Sequence, residues 1–250
     1  MTKFSYQLYS SREFPPLSDT LSMLKNLGYA QVEAYGGLFS DLGALNRGLQ
    51  NNGLEISSGH FGLDMLESDI GRVLEIADKT GMRSVYCPHI AQEFRPTDGP
   101  GWREFGRRVQ QAGKPVLDAG LNFGWHNHDF EFKQQSDGSL PLEEMFAGGP
   151  DLSWEADIAW IVRGGGDPFH WIERYRQRIR AVHIKDIAAE GQCEDEDGWA
   201  DVGHGTMDWP AIWQALSGSP VRHWVMEHDK PNDHQRFARR SIASVQTYQQ

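Results

Sequence analysis

Cysteine and long apolar runs are both scarce in this sequence. Only two of its 250 residues are cysteines, Cys87 and Cys193, and no CxxC pair occurs. Their scarcity excludes a disulfide framework and favours a reducing, cytoplasmic location. No stretch approaches the roughly 18 apolar residues of a membrane span. The N-terminal segment MTKFSYQLYSSREFPPL lacks the apolar core of a signal peptide. We therefore expect no contact with a membrane.

Basic clusters are absent as well. The chain has 24 Lys and Arg against 35 Asp and Glu, which gives a formal net charge of −11. A field of that sign repels phosphate backbones, so nucleic acid is not an expected partner. No Ser-, Pro- or Gly-rich linker interrupts the composition. We therefore expect one domain over residues 1–250.

Short apolar segments alternate with longer amphipathic ones along the chain. The alternation predicts right-handed crossovers and a parallel sheet, and eight such units in about 250 residues predict a (β/α)₈ TIM barrel. A doubly wound open sheet is the runner-up, but SSREFPPL rather than GxGxxG follows the first strand. Helices are predicted over 17–28, 67–81, 167–179 and 233–250. The predicted strands are residues 4–9, 31–35, 54–61, 84–90, 122–128, 152–158, 180–187 and 223–229.

Histidine and carboxylate side chains recur where these predicted strands end. In a barrel, the carboxyl ends of the strands converge on the face where function collects. A solvated loop would carry charge there, but not this bias toward histidine with carboxylate. Such donors suit a divalent ion, namely Mn²⁺, Zn²⁺, Co²⁺ or Mg²⁺. The strand-end residues are His60, His89, His126, His128, Glu131, Asp157, His183, Lys185, Asp186, Glu227, His228 and Asp229.

Four motifs occur in order on the last four predicted strands. They are WHNHDFEF (125–132), ADIAW (156–160), VHIKD (182–186) and VMEHD (225–229). With these motifs the chain resembles, over essentially its full length, the xylose isomerase-like TIM barrel superfamily of sugar phosphate isomerases and epimerases, which includes endonuclease IV. The resemblance implies one bound divalent metal ion. Its ligands would be Glu131, Asp157, His183 and Glu227.

The fifth-strand ligand is the open point of this set. Period-two alternation places His126 and His128 on one face of the strand and Glu131 on the other, unless the strand has already ended. Either the chain turns after His128 and brings Glu131 inward, or a histidine takes its place. We expect Glu131 to be the ligand.

The resemblance implies a metal-dependent isomerase or epimerase that acts on a keto-sugar or sugar derivative. Such an enzyme removes a proton beside a carbonyl, and the metal stabilises the resulting enediolate. Two carboxylates can remove and return that proton, and the resemblance gives these catalytic roles to Glu131 and Glu227. For Lys185, an ion pair with a neighbouring acid is an equal alternative to substrate binding. The residues expected to contact the carbohydrate substrate are His60, His89, His128, Trp160 and Lys185.

Other functions are compatible with the same barrel. A metal-dependent lyase or dehydratase acting on a keto-sugar, keto-inositol or 3-keto-glycoside would use the same metal and base. An endonuclease IV-like repair enzyme is disfavoured by the acidic charge, and because Trp160 stands where that enzyme has a zinc-binding histidine. A non-catalytic sugar-binding protein is disfavoured because the metal ligands are retained. A homo-oligomer is an expectation from the resemblance alone.

Overall fold

The eight predicted strands all form and close into a barrel. The computed structural model describes residues 2–248, and within them lie ten strands. Eight of these close in the order β1-β10-β7-β6-β5-β4-β3-β2, whereas β8 and β9 form a separate antiparallel pair. The predicted (β/α)₈ TIM barrel is therefore confirmed. The strands are β1 (Phe4–Gln7), β2 (Gln31–Tyr35), β3 (Glu55–His60), β4 (Ser84–Cys87), β5 (Asn122–His126), β6 (Ser153–Asp157), β7 (Ile179–Ile184), β8 (Asp186–Ile187), β9 (Trp199–Ala200) and β10 (His223–Met226).

Neighbouring barrel strands are parallel, and β1 closes the ring between β10 and β2. The register shifts at two places, between Val32 and Glu33 in β2 and between Trp154 and Glu155 in β6. An irregularity of this kind changes the direction of the side chains beside it. Each shift immediately precedes a glutamate that is fully buried.

Ten α-helices lie within the described residues. The helix predicted over 67–81 is divided, because α3 ends at Ser68 and Asp69 caps α4 by accepting a hydrogen bond from Arg72 N. The last helix ends at Thr247, and the final two residues of its predicted range lie outside the described residues. Within 2–248, no helix combines the length and apolarity needed to cross a bilayer. The helices are α1 (Leu17–Leu27), α2 (Leu42–Asn52), α3 (Leu63–Ser68), α4 (Ile70–Thr80), α5 (Gly99–Asp118), α6 (Pro141–Gly148), α7 (Ile158–Arg163), α8 (Pro168–Tyr175), α9 (Trp209–Ala215) and α10 (His234–Thr247).

Strand β5 illustrates how the pleat separates the core from the barrel interior. Phe123 and Trp125 are fully buried, and Trp125 packs edge-on against Phe105 of α5 with ring centroids 5.6 Å apart. Because successive side chains point to opposite faces of a strand, Gly124 and His126 face the interior. A Cβ atom on Gly124 would lie 2.2 Å from the Ser153 carbonyl oxygen, so only glycine fits beside β6.

Candidate metal centre

Three of the four ligands implied by the resemblance come together at the carboxyl end of the barrel. Asp157 ends β6, His183 lies opposite it in β7, and Glu227 directly follows β10. The fifth-strand member is His126, the last residue of β5. We call His126, Asp157, His183 and Glu227 the upper group. All four are buried, and one ligand atom from each lies within 4.8 Å of the others.

The donor set of the upper group fits a divalent cation. His183 Nδ1 lies 2.8 Å from Glu227 Oε2 and 3.9 Å from Asp157 Oδ2. The Nδ1 atom of His126 is buried and has no hydrogen-bond partner among the described residues. This nitrogen lies 3.4 Å from Glu155 Oε2, a carboxylate oxygen outside the upper group. Buried polar atoms are normally paired, so an unpaired imidazole nitrogen beside a carboxylate is consistent with a metal ligand. The ion would be held by His126, Asp157, His183 and Glu227.

A second cluster shares two histidines with the upper group and extends deeper into the barrel at Glu155, which precedes Asp157 by two residues in β6. We call His60, His126, Glu155 and His183 the lower group, and their ligand atoms also lie within 4.8 Å of one another. His60 Nε2 lies 2.6 Å from Glu155 Oε2. Burial alone would lower the pKa of His60, but the facing carboxylates of Glu33 and Glu155 outweigh it and raise that pKa to about 10.

Sequence reasoning missed both glutamates of this deeper region. Glu33 stands between Val32 and Ala34 in a short apolar strand, and Glu155 lies two residues before Asp157. The period-two rule places Glu155 on the same face of β6 as Asp157. A charged residue inside an apolar barrel strand was therefore the available signal. Glu33 and Glu155 were missed because only residues at the ends of strands were considered as site residues.

Lys185 provides a fully buried cation beside the upper group. Its Nζ atom lies 2.9 Å from Asp157 Oδ2, 2.8 Å from Glu227 Oε2 and 2.8 Å from Asp229 Oδ2. Burial opposes the charge, yet these three carboxylates together raise the pKa of Lys185 above its ordinary value. The ammonium group also lies 5.2 Å from the centroid of the Trp160 ring. Of the two alternatives for Lys185, the structure therefore shows ion pairs with neighbouring carboxylates.

Glu131 differs from its expected placement. It lies in a 3₁₀ turn (Phe130–Phe132), and its carboxylate accepts hydrogen bonds from Trp125 Nε1 at 2.9 Å and from His128 N at 3.0 Å. The side chain of Trp125 packs outside the barrel, so Glu131 lies behind β5 rather than within it. Neither the upper nor the lower group includes Glu131. His126 occupies the position on this strand that we expected Glu131 to fill.

The remaining candidates surround a cavity above the upper group. This cavity has a volume of about 690 Å³, and its walls include Tyr9, Tyr35, His60, His89, His126, His128, Glu227 and Asp229. Trp160 and Lys185 lie behind the wall, where Trp160 packs against Trp199 with ring centroids 4.8 Å apart. A larger groove of about 970 Å³ on the outer surface beside α5 includes no member of either group, so the chemistry points to the smaller cavity.

Three curated proteins show sequence similarity to the chain, although no family model matches it. The rhizopine catabolism protein MocC of Rhizobium meliloti is 25% identical over 241 residues, covering 84% of this chain and 74% of that protein. Inosose dehydratase of Lacticaseibacillus casei is 23% identical over 141 residues. That match covers 50% of this chain and 46% of the dehydratase, which is less than half of its length.

Solved structures share the fold over nearly the whole chain. A sugar phosphate isomerase/epimerase from Parabacteroides distasonis has a TM-score of 0.82 at 20% identity, covering 98% of this chain and 93% of its own. A xylose isomerase domain protein from Alicyclobacillus acidocaldarius has a TM-score of 0.75 at 16% identity, covering 99% and 98%. The predicted resemblance is thus confirmed at the level of the fold.

Proposed function

Because the chain shares the fold of xylose isomerase-like and sugar phosphate isomerase/epimerase barrels, we propose that it is a metal-dependent isomerase or epimerase. The substrate would be a keto-sugar or a related sugar derivative, and the reaction would remove a proton from the carbon beside the carbonyl. One observation carries the proposal: His126, Asp157, His183 and Glu227 converge, and two of them, His126 and Glu227, line an open cavity.

The upper group is the proposed site of one divalent ion. Such an ion supplies Lewis-acid stabilisation for negative charge on substrate oxygens. The upper group offers two histidines and two carboxylates, a donor set that suits Mn²⁺ as well as Zn²⁺ or Co²⁺. Manganese as the native metal and a cytoplasmic location are parts of this proposal, as is assembly into a homo-oligomer.

Glu227 is the proposed base. It lines the cavity, and although burial would raise its pKa, Lys185 and His183 outweigh that effect and lower it. The carboxylate is therefore ionised and able to accept a proton. For the second carboxylate of the pair we propose Asp229 in place of Glu131, because Asp229 lines the cavity whereas Glu131 is hydrogen-bonded behind β5.

The cavity walls are the proposed carbohydrate contacts. His60, His89 and His128 line the space and offer ring nitrogens to sugar hydroxyls. Lys185 would act through Glu227 rather than on the substrate itself, since its ammonium group contacts that carboxylate and does not line the cavity. Trp160 would act indirectly, by supporting His128 at a ring-centroid distance of 5.5 Å. A volume of about 690 Å³ falls within the range of small-molecule sites.

A metal-dependent dehydratase or lyase is the second candidate function. It is favoured by the similarity to inosose dehydratase, at 23% identity over half of this chain. Elimination begins with the same proton removal, so the same residues would serve. The outcome would depend on whether the substrate carries a leaving group beside the carbon that loses its proton.

Proton exchange in D₂O tests the proposal and separates its two forms. The Mn²⁺-loaded protein would be incubated with a panel of keto-sugars, keto-inositols and 3-keto-glycosides, and the products followed by NMR. Deuterium beside the carbonyl in a product of unchanged formula supports an isomerase or epimerase. An unsaturated or shortened product supports a lyase. If no compound exchanges with the wild-type protein and none is converted, the proposed function is wrong.

A further inference from the structure

The imidazole of His183 separates two different environments. Its Nδ1 atom faces the upper group, 2.8 Å from Glu227 Oε2. Its Nε2 atom lies on the opposite side of the ring, 2.7 Å from Glu33 Oε1. The neutral imidazole, which is the form that binds a metal, has one protonated nitrogen and one lone pair, so in that form only one of the two nitrogens can donate a hydrogen bond. The residue that fixes the proton on one nitrogen also decides which nitrogen is free to bind a metal.

Glu33 has the surroundings of a hydrogen-bond acceptor rather than those of a metal ligand. It is fully buried, and its Oε1 atom accepts a hydrogen bond from Gln7 Nε2 at 2.7 Å. His60 Nε2 lies 3.2 Å from the same oxygen, and Ser58 Oγ donates to the other one. With His183 Nε2, three nitrogens approach Oε1, which has only two lone pairs. The Glu33 oxygen that faces His183 therefore has no lone pair left for an ion.

The carboxylates on the two sides of the His183 ring differ in their access to the cavity. Glu227, on the Nδ1 side, lines the cavity, whereas neither Glu33 nor Glu155, on the Nε2 side, does. The histidines do not differ in this way, because His60 and His126 of the lower group also line it. A metal ion that must touch a substrate oxygen has to lie on the cavity side of His183. The Nδ1 side meets this condition.

We infer that Glu33 is a positioning residue: it accepts the Nε2–H of His183 and so directs the Nδ1 lone pair of that ring toward Asp157 and Glu227. The inference rests on the proposed function, because it assigns the metal of that same site. Metal-bound histidines commonly donate their second N–H to a carboxylate, which fixes the orientation and tautomer of the ring. Since the lower group is then used for hydrogen bonding, we expect one ion per chain.

The wild-type protein tests this assignment without any substitution. The probe is ¹¹³Cd²⁺ bound to protein labelled with ¹⁵N-histidine, and the His183 signals are identified by their loss in His183→Asn. We expect a one-bond cadmium coupling at Nδ1, a proton on Nε2 and one cadmium ion per chain. Coupling at Nε2, or two ions bound, would overturn the inference while leaving a metal-dependent function intact. Absence of bound cadmium at any concentration would contradict both.

Substitution of Glu33 provides the second test. Glu33→Gln keeps the size of the side chain but removes its charge, and we expect the affinity for Mn²⁺ to fall about 10- to 100-fold, the range for partners of metal-bound histidines. Glu33→Asp, which keeps the charge, should recover part of that loss. The matched control is Glu55→Gln on β3, where Glu55 pairs with Lys3 at the surface.

The readouts separate positioning from a purely structural role. If Glu33 only supported the fold, Glu33→Gln would lower the midpoint of thermal unfolding, yet the folded variant would retain wild-type affinity and the Nε2–H tautomer of His183. That result would overturn the inference. A weaker affinity combined with a changed His183 tautomer, both measured well below the unfolding transition, supports it.

Discussion

The two ends of the barrel interior are both polar, but only one of them is charged. At the amino ends of the strands the buried polar residues are hydroxyls and one histidine. Ser5 Oγ lies 3.0 Å from Ser57 Oγ, and Ser84 Oγ lies 3.2 Å from His223 Nε2. At the carboxyl ends the interior holds Asp157, Glu227 and Lys185, all buried.

This contrast identifies the carboxyl end of the barrel as the candidate site. Neutral hydroxyls can pair with one another or with the backbone at little cost, as Ser153 Oγ does with Phe123 O at 2.8 Å. Burying a charge is costly unless another charge or an ion compensates it. A fold would not gain stability from several carboxylates in one place, so their concentration at the carboxyl end points to a site maintained for function. The following experiments test whether the charged and the uncharged ends of the barrel interior differ in function.

Asp157→Asn should have the largest effect. Asp157 Oδ1 also caps α7 by accepting a hydrogen bond from Trp160 N at 3.0 Å, and asparagine is an equally good cap, so the helix should survive. Loss of a ligand charge should weaken Mn²⁺ binding by more than about 100-fold, beyond the effect of an outer-shell partner. Metal content after dialysis, measured by mass spectrometry, checks this.

The matched control is Asp167→Asn, since Asp167 caps α8 through Phe169 N at 2.9 Å outside the site. It should retain full metal content. If Asp157→Asn and Asp167→Asn bind Mn²⁺ equally well, the carboxyl end of the barrel is not the metal site, and the contrast between the two ends has no functional meaning.

Lys185→Met should be the most destabilising substitution in metal-free protein. It leaves Asp157, Glu227 and Asp229 buried without their cation, and removing one partner of a buried ion pair typically costs about 3–5 kcal/mol. Saturating Mn²⁺ should recover part of this loss, because the ion compensates the same carboxylates. Urea unfolding with and without Mn²⁺ measures both effects.

The exposed pair of Lys114 with Asp118 serves as the control, because Lys114→Met should change the free energy of unfolding by less than about 1 kcal/mol. Equal losses for Lys185→Met and Lys114→Met would mean that the buried charges are not energetically coupled.

Glu131→Gln distinguishes a supporting role from a ligand role. Both Glu131 oxygens accept N–H hydrogen bonds, and the glutamine amide would present an NH₂ group to one of these donors. We expect a loss of about 1–3 kcal/mol in unfolding free energy, the cost of leaving a buried donor unpaired. Mn²⁺ content should stay at the wild-type level. Loss of the metal would instead restore the ligand role that the resemblance implies.

The difference in unfolding free energy between wild type and Glu131→Gln should depend on pH, and the pKa of Glu131 gives the direction of that dependence. Burial raises the pKa of Glu131 from an ordinary value of 4.5 to about 8, although its hydrogen bonds lower it. The folded chain thus retains a proton that the unfolded chain releases. The resulting contribution to stability is fully present below pH 4.5 and is lost as the pH rises through about 8. The stability advantage of wild type over Glu131→Gln should therefore shrink between these values, and an advantage that grows would contradict the prediction.

The barrel could be predicted because the sequence shows both the periodicity of the strands and that of the amphipathic helices. Apolar strands alternate with amphipathic helices, and the glycines that follow α1, α2 and α4 adopt positive φ angles of 90°, 62° and 75°, which suit the ends of helices. The boundary inside residues 67–81 was not predictable in the same way. The apolar pattern continues across Asp69, and only its side-chain bond to Arg72 N starts a new helix there.

The positions of the candidate site residues could be predicted at the ends of strands, but less well elsewhere. Asp157, His183 and Glu227 lie in or beside strands, so the pleat determines their direction. Glu131 follows a strand that ends at His126, and beyond that residue a bond to Trp125 Nε1, rather than the pleat, determines its position. Glu33 was missed because it lies inside β2, where its pairing with His183 spans 150 residues of sequence.

Ser84→Ala, at the uncharged amino end of the barrel interior, should have the smallest effect. It removes the hydrogen bond between Ser84 Oγ and His223 Nε2, and a single neutral hydrogen bond contributes about 0.5–1.5 kcal/mol. Burial already lowers the pKa of His223, so the ring is neutral and no charge is left uncompensated. Urea unfolding should show this small loss, and Mn²⁺ affinity should equal that of wild type. A loss of affinity comparable to that of Glu33→Gln would mean that the two ends of the barrel interior act as one polar network, with the metal centre dependent on its whole length.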